Sequence, residues 1–85
     1  MIGKTHRRFW KAFEKLPKSV QELAREKYAL WKRDPFYRSL HFEERRNGVC
    51  VVRIGNSYRA LGLREGDAVL WFWIGTHEDY NQFHF

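Results

Sequence analysis

The apolar positions of this chain change period once, and that change divides it into a helical part and a strand part. Phe9, Phe13 and Leu16 recur at helical spacing behind Thr5, whose hydroxyl is placed to cap a first helix. Pro17 interrupts that helix and suits the first turn of a second. There Val20, Leu23, Ala24, Tyr28 and Trp31 form one stripe, with Lys18, Gln21, Glu22, Arg25 and Lys32 on the other side. Pro35 disfavours a helical residue before it, so the second helix stops by Arg33 or Asp34.

After Pro35 the period falls to two. Leu40 and Phe42 alternate with His41 and Glu43 and read as a strand. Asn47-Gly48 is a strong hairpin signal and leads into a second strand, Val49 to Ile54. Gly55-Asn56-Ser57 turns the chain into a third strand, Tyr58 to Arg64, and Glu65-Gly66-Asp67 turns it into a fourth. That last strand contains the unbroken apolar run Val69-Leu70-Trp71-Phe72-Trp73-Ile74, which reads as buried on both faces. The run is far shorter than the ~20 residues a membrane span needs. The expected fold is α+β: an N-terminal helical hairpin packed on one face of a four-stranded antiparallel sheet, with the other face left for solvent or a partner.

At 85 residues the chain is one domain, able to bury only about 60–65% of its unfolded surface. With 18% aromatic residues, a few large rings must supply most of that core. The net charge of +6 points to a polyanionic partner, either nucleic acid or an acidic protein. The single cysteine, Cys50, lies among apolar neighbours; it excludes an internal disulfide and suits a reducing cytoplasm. The basic start, Met1 to Arg8, is not followed by an apolar stretch, so no signal peptide is expected.

The chemistry-bearing residues gather near strand ends. After Gly75 the chain turns polar within one residue, and Thr76, His77, Glu78, Asp79 and Tyr80 follow. His77 is there either a solvated loop residue or a group delivered to a site by a rigid strand. Arg53 and Arg59 flank the second turn. A three-residue loop puts them directly opposite each other, where like charges call for an anion between them; a shift of one residue puts them on different faces. Glu43, Glu44, Arg45 and Arg46 precede the first turn, as a charged rim or as part of a site. His6, His41 and His84 are scattered and read as incidental. One cysteine and no paired histidine spacing leave no metal site to expect. Arginines, an imidazole, a phenol and carboxylates are the set that cleaves RNA without a metal. A base takes the 2′-OH proton, cations hold the charged phosphoryl oxygens, and an acid protonates the leaving 5′-oxygen.

The helical hairpin with Phe9, Leu16-Pro17 and Pro35 is followed in order by Ser39-Leu40-His41-Phe42, Val52-Arg53-Ile54-Gly55 and Tyr58-Arg59-Ala60-Leu61-Gly62. Trp71-Phe72-Trp73-Ile74-Gly75-Thr76-His77 and Tyr80 complete the series. Together they resemble the RelE/ParE superfamily of toxins from bacterial type II toxin–antitoxin systems, over residues 5–82. The resemblance implies a compact α+β fold and a cognate antitoxin that wraps the toxin and covers its groove. RelE-like members of that superfamily cut mRNA in the ribosomal 30S A site; ParE-like members poison DNA gyrase without cleaving RNA.

On that resemblance Arg59 matches the phosphate-binding arginine of the nucleases, His77 falls where they keep an Arg or His, and Tyr80 resembles their terminal tyrosine. The strand lysines of those nucleases are replaced here by Val49 and Val51, which leaves Glu44, Glu43 or His77 itself as general base. The N-terminal strand common in the superfamily is absent on this reading, because Thr5 starts a helix. The leading expectation is a cytoplasmic, cofactor-free, ribosome-dependent mRNA endonuclease. In it His77, Arg59, Tyr80 and Glu44 are catalytic, and Arg53, Arg45 and Arg46 bind the substrate. The alternatives are a gyrase-inhibiting toxin and a decayed toxin that only binds antitoxin.

Overall fold

A computed structural model describes residues 1–83 of the chain. Its elements run β1 (Ile2–Thr5), α1 (Arg7–Glu14), α2 (Lys18–Arg33), β2 (Glu43–Glu44), β3 (Val49–Ile54), β4 (Tyr58–Glu65), β5 (Ala68–Thr76) and α3 (His77–Tyr80). His84 lies outside the described residues. No helix among them is long and apolar enough to cross a membrane.

The helical hairpin forms as its pattern requires, with one change at its start. His6 is the N-cap of α1 and accepts from the Arg8 amide at 3.1 Å through Nδ1, whereas Thr5 Oγ1 accepts from Trp10 Nε1 at 3.0 Å. Thr5 is therefore free of the capping role because it ends a strand. Gln21 Nε2 donates to the carbonyls of Phe13 and Leu16, at 3.1 and 3.2 Å, and locks α2 against the end of α1. The second helix ends at Arg33, ahead of Pro35.

The sheet is five-stranded and mixed, in the order β1-β5-β4-β3-β2, which corrects the expected four antiparallel strands. The added strand, β1, pairs in parallel with β5, from Ile2 opposite Ala68 to Thr5 opposite Trp71. Ile2-Gly3-Lys4-Thr5 is largely exposed and carries no alternation, so only its tertiary partner marks it as a strand. The expected strand from Leu40 shrinks to Glu43–Glu44. Leu40 sits in a 3-10 turn, fully buried, and His41 takes the left-handed conformation at φ 46°. The turn after it is also longer than the two-residue hairpin that Asn47-Gly48 suggests. The Arg45 amide donates to the Val49 carbonyl at 2.6 Å, and Asn47 and Gly48 both have positive φ.

Of the two registers the sequence leaves open for the second hairpin, the structure takes the three-residue loop. Ile54 pairs with Tyr58 across Gly55-Asn56-Ser57, whose glycine supplies the positive φ of 65° that the turn needs. Within β5, Leu61 pairs with Trp73 and Gly62 with Trp71, leaving Phe72 as an extra, bulged residue. The bulge shifts the alternation by one. Val69, Trp71 and Ile74 face the helices, while Phe72 and Trp73 pack on the opposite face with Val49, Val51 and Leu61. An unbroken apolar run follows from a strand that is covered on both sides.

The core centres on Trp31 and Trp71, 1% and 3% exposed, whose rings meet edge to face at 5.2 Å. Each such ring removes about 150–250 Å² from water, or roughly 4–6 kcal/mol of gross stabilisation at about 25 cal/mol per Å². The helix side of the sheet is thereby fixed. The chemistry sits on the other side.

Candidate functional site

A cleft of ≈380 Å³ opens on the side of the sheet away from the helical hairpin. Strand parity decides which residues reach it. On β3 and β4 the register puts Arg53 directly opposite Arg59. Their neighbours Val52, Ile54 and Ala60 join the core under the helices, so both arginines point the other way, into the cleft.

Arg59 is only 9% exposed, and its Nη1 donates to the carbonyls of Tyr58 at 2.8 Å and Asn56 at 3.4 Å. Burial pushes its guanidinium below the ordinary arginine range; the charge of Arg53 pushes the same way, and Tyr80 opposes. Arg53 Nε is buried with no acceptor among the described residues. Two facing cations, one of them with a buried donor left over, make a site that an anion would complete.

A short helical turn delivers the other groups. Thr76 caps α3 by accepting from the Asp79 amide at 3.1 Å, and the His77 amide donates to the Ser57 carbonyl at 2.8 Å. That second bond ties α3 to the turn between Arg53 and Arg59. His77 and Tyr80, three residues apart on one helical turn, share a side and both line the cleft. Tyr80 also packs on the apolar patch of Val49, Val51 and Leu61. Gly75, opposite Arg59, makes room for the Trp73 indole, which a Cβ there would run into.

The two candidate carboxylates separate by the same parity. Glu43 pairs with Val51 and lines the cleft, where it accepts from Arg45 Nη2 at 2.8 Å. Glu44 pairs with Cys50, which faces the core, and its carboxylate accepts from Arg64 Nη1 at 3.4 Å. The structure therefore brings together His77, Tyr80, Arg53, Arg59 and Arg45, with Glu43 beside them. It does not bring Glu44, nor Arg46, which is exposed on the turn after β2. His41 and Phe42 line the cleft too. The alternation of Glu43 with Glu44 could have favoured Glu43; nothing in the sequence announces the left-handed His41.

A second cavity, ≈210 Å³, lies between the helical hairpin and the sheet, walled by rings such as Phe9, Phe13 and Trp31. No imidazole or carboxylate among the described residues lines it. No group of three or more His, Cys, Asp or Glu that could hold a metal ion occurs among them either. The cleft on the open face is thus where arginines, an imidazole, a phenol and a carboxylate meet.

Residues 18–82 match the family model described as a ParE-like toxin domain. Comparison with curated proteins finds no match. Among solved structures, the chain resembles one in the RelB–RelE antitoxin–toxin complex of Methanococcus jannaschii, at 14% identity and a TM-score of 0.73, over 95% of this chain and 99% of that one. It resembles one in the toxin–antitoxin complex RelBE2 of Mycobacterium tuberculosis at 18% identity and a TM-score of 0.71, over 89% and 96%. The YoeB/ParE toxin of Agrobacterium tumefaciens gives 18% and 0.70, over 91% and 99%. At these identities the likeness is one of fold.

Proposed function

The chain belongs to the ParE-like toxin domain family, as a toxin of RelE/ParE type, and on that premise we propose that it is an endoribonuclease acting on mRNA in the ribosomal A site. The observation that carries this reading is the convergence of the facing pair Arg53 and Arg59 with His77 and Tyr80 in one cleft. A binding poison needs neither an imidazole nor a phenol beside a pair of facing arginines.

In the proposed reaction Arg53 and Arg59 hold the non-bridging oxygens of the scissile phosphate, and charge building there is stabilised in a partly buried site. Glu43, held by Arg45 Nη2, takes the proton from the ribose 2′-OH. The 2′-oxygen forms its bond to phosphorus as the bond to the 5′-oxygen breaks, and His77 gives its proton to that leaving oxygen. Tyr80 positions the phosphate from the apolar side. The products are a 2′,3′-cyclic phosphate and a 5′-OH, with no cofactor consumed.

The solved relatives in fold include antitoxin–toxin complexes, and the net charge of +6 suits an acidic antitoxin segment laid over the same cleft. We propose a cognate antitoxin as the protein partner and the cytoplasm as the setting. The family description, ParE-like, favours a second reading, a toxin that binds DNA gyrase. Induced expression of wild type and His77→Ala, with mRNA 5′ ends mapped and plasmid supercoiling followed, separates the two. New, codon-phased ends that vanish in the variant support the nuclease; arrest with intact mRNA and altered supercoiling supports the gyrase poison.

A further inference from the structure

The cleft explains the arginines but not an aromatic ring stacked on its wall residue Phe42. Phe36 is 69% exposed, the most exposed large hydrophobic residue among the described residues. It follows Pro35 at the end of α2, and its ring stands 5.5 Å from that of Phe42, tilted by 56°. Phe42 lines the cleft and also packs against Trp31 at 5.7 Å and Trp71 at 6.4 Å. Phe36 is thus the outer ring of an aromatic stack rooted in the core, one ring away from the phosphate site.

The chain around this ring is basic. Arg33 ends α2, and Arg38 follows Tyr37, itself 49% exposed. An exposed ring in a basic stretch of chain suits the face of an unpaired nucleobase, because stacking supplies affinity while cations track the backbone. An apolar protein segment would gain little from a single ring in such a stretch. Continuity with the arginine cleft through Phe42 favours the nucleic acid.

Resting on the nuclease reading, we infer that Phe36 is a stacking platform for one unpaired base flanking the cleaved bond. The substrate is then held as a single strand by a phosphate in the Arg53/Arg59 site and a base on Phe36. Stacking is tolerant of sequence but stronger for the larger purine face, so the platform imposes a purine bias at one fixed position beside the cut.

The test is cleavage of mRNA by the full chain on translating ribosomes, with 5′ ends mapped for wild type, Phe36→Ala, Phe36→Trp and Arg59→Ala. A single stack is worth about 5- to 150-fold. Phe36→Ala should lose cleavage in that range at subsaturating mRNA and lose the purine bias; Phe36→Trp should restore both. If wild type cleaves and Phe36→Ala matches it in rate and base pattern, the platform is wrong while the nuclease stands. A lower rate with the base pattern unchanged also overturns it, leaving Phe36 as packing for Phe42. If Phe36→Ala cleaves normally but escapes the antitoxin, the ring is a protein contact instead. If wild type cuts nothing, the nuclease reading fails and takes the platform with it; Arg59→Ala supplies the uncut background for that comparison.

Discussion

Arg53 and Arg59 stand directly opposite each other on neighbouring strands, side chains on the same face of the sheet. A pair of like charges in that position costs stability, which a chain keeps only where the pair has work to do. Replacing Arg53 with Gln should raise stability by about 0.2–1 kcal/mol and weaken the response to anions. The check is thermal unfolding with and without inorganic phosphate. Wild type should gain Tm with phosphate, by mass action on the folded state, and Arg53→Gln should gain less.

His77 is exposed and makes its hydrogen bond to Ser57 through its backbone amide, not its ring. His77→Ala should therefore leave Tm within ~4 °C, since surface changes away from such contacts are worth within about ±0.5 kcal/mol. Cleavage should fall by about 10²–10⁴-fold, as for loss of a general acid. Unfolding curves and cleavage rates on the same preparations separate the two effects.

The carboxylates give a sharper contrast. Glu43 lines the cleft and Glu44 pairs with Arg64 away from it. Glu43→Gln should reduce the cleavage rate by about 10²-fold or more, with Glu44→Gln near wild type. A loss confined to Glu44→Gln would return the base to that residue and contradict the strand parity used here.

Gly75 has no room for a side chain against the Trp73 ring. Gly75→Ala should cost about 1–3 kcal/mol, the range for overpacking, and lower Tm by roughly 4 °C or more. Because Gly75 faces Arg59, activity should fall with stability.

Cys50 is fully buried, and burial first, then Glu44, pushes its thiol above the ordinary 9.0, with Arg64 opposing. It should react slowly with a thiol reagent until the chain unfolds. Its contribution to stability is complete below the unfolded thiol's pKa and is lost as pH rises through the higher folded value, so unfolding should become easier only on the alkaline side. Thiol labelling against pH, in native and denatured protein, measures both.

Where one residue's environment is local, the sequence was readable. The ends of α2 follow from Pro17 and Pro35, and Gly55-Asn56-Ser57 marks the second turn, while the register that opposes Arg53 to Arg59 is decided only by the strand pairing. What escaped it depends on partners far along the chain. Ile2–Thr5 is a strand only because Ala68–Trp71 lies beside it. The bulge at Phe72 moves Ile74 to the helix side, and no pattern of apolar letters can show a shift within an unbroken apolar run. At the candidate site, the strongly marked strand ahead of His77 and Tyr80 drew attention to them, and Glu43 stood beside Glu44 as a candidate base. The place of His41 in the cleft was not legible, because nothing in the sequence announces its left-handed backbone.

The most direct test of the proposed chemistry is the structure of the ends it leaves. Purified chain should be mixed with mRNA on ribosomes and the cleaved fragments analysed at both new termini. Attack by the 2′-OH predicts a 2′,3′-cyclic phosphate and a 5′-OH, lost in Arg59→Ala. Uncut RNA, or fragments ending in 3′-OH and 5′-phosphate, would contradict it.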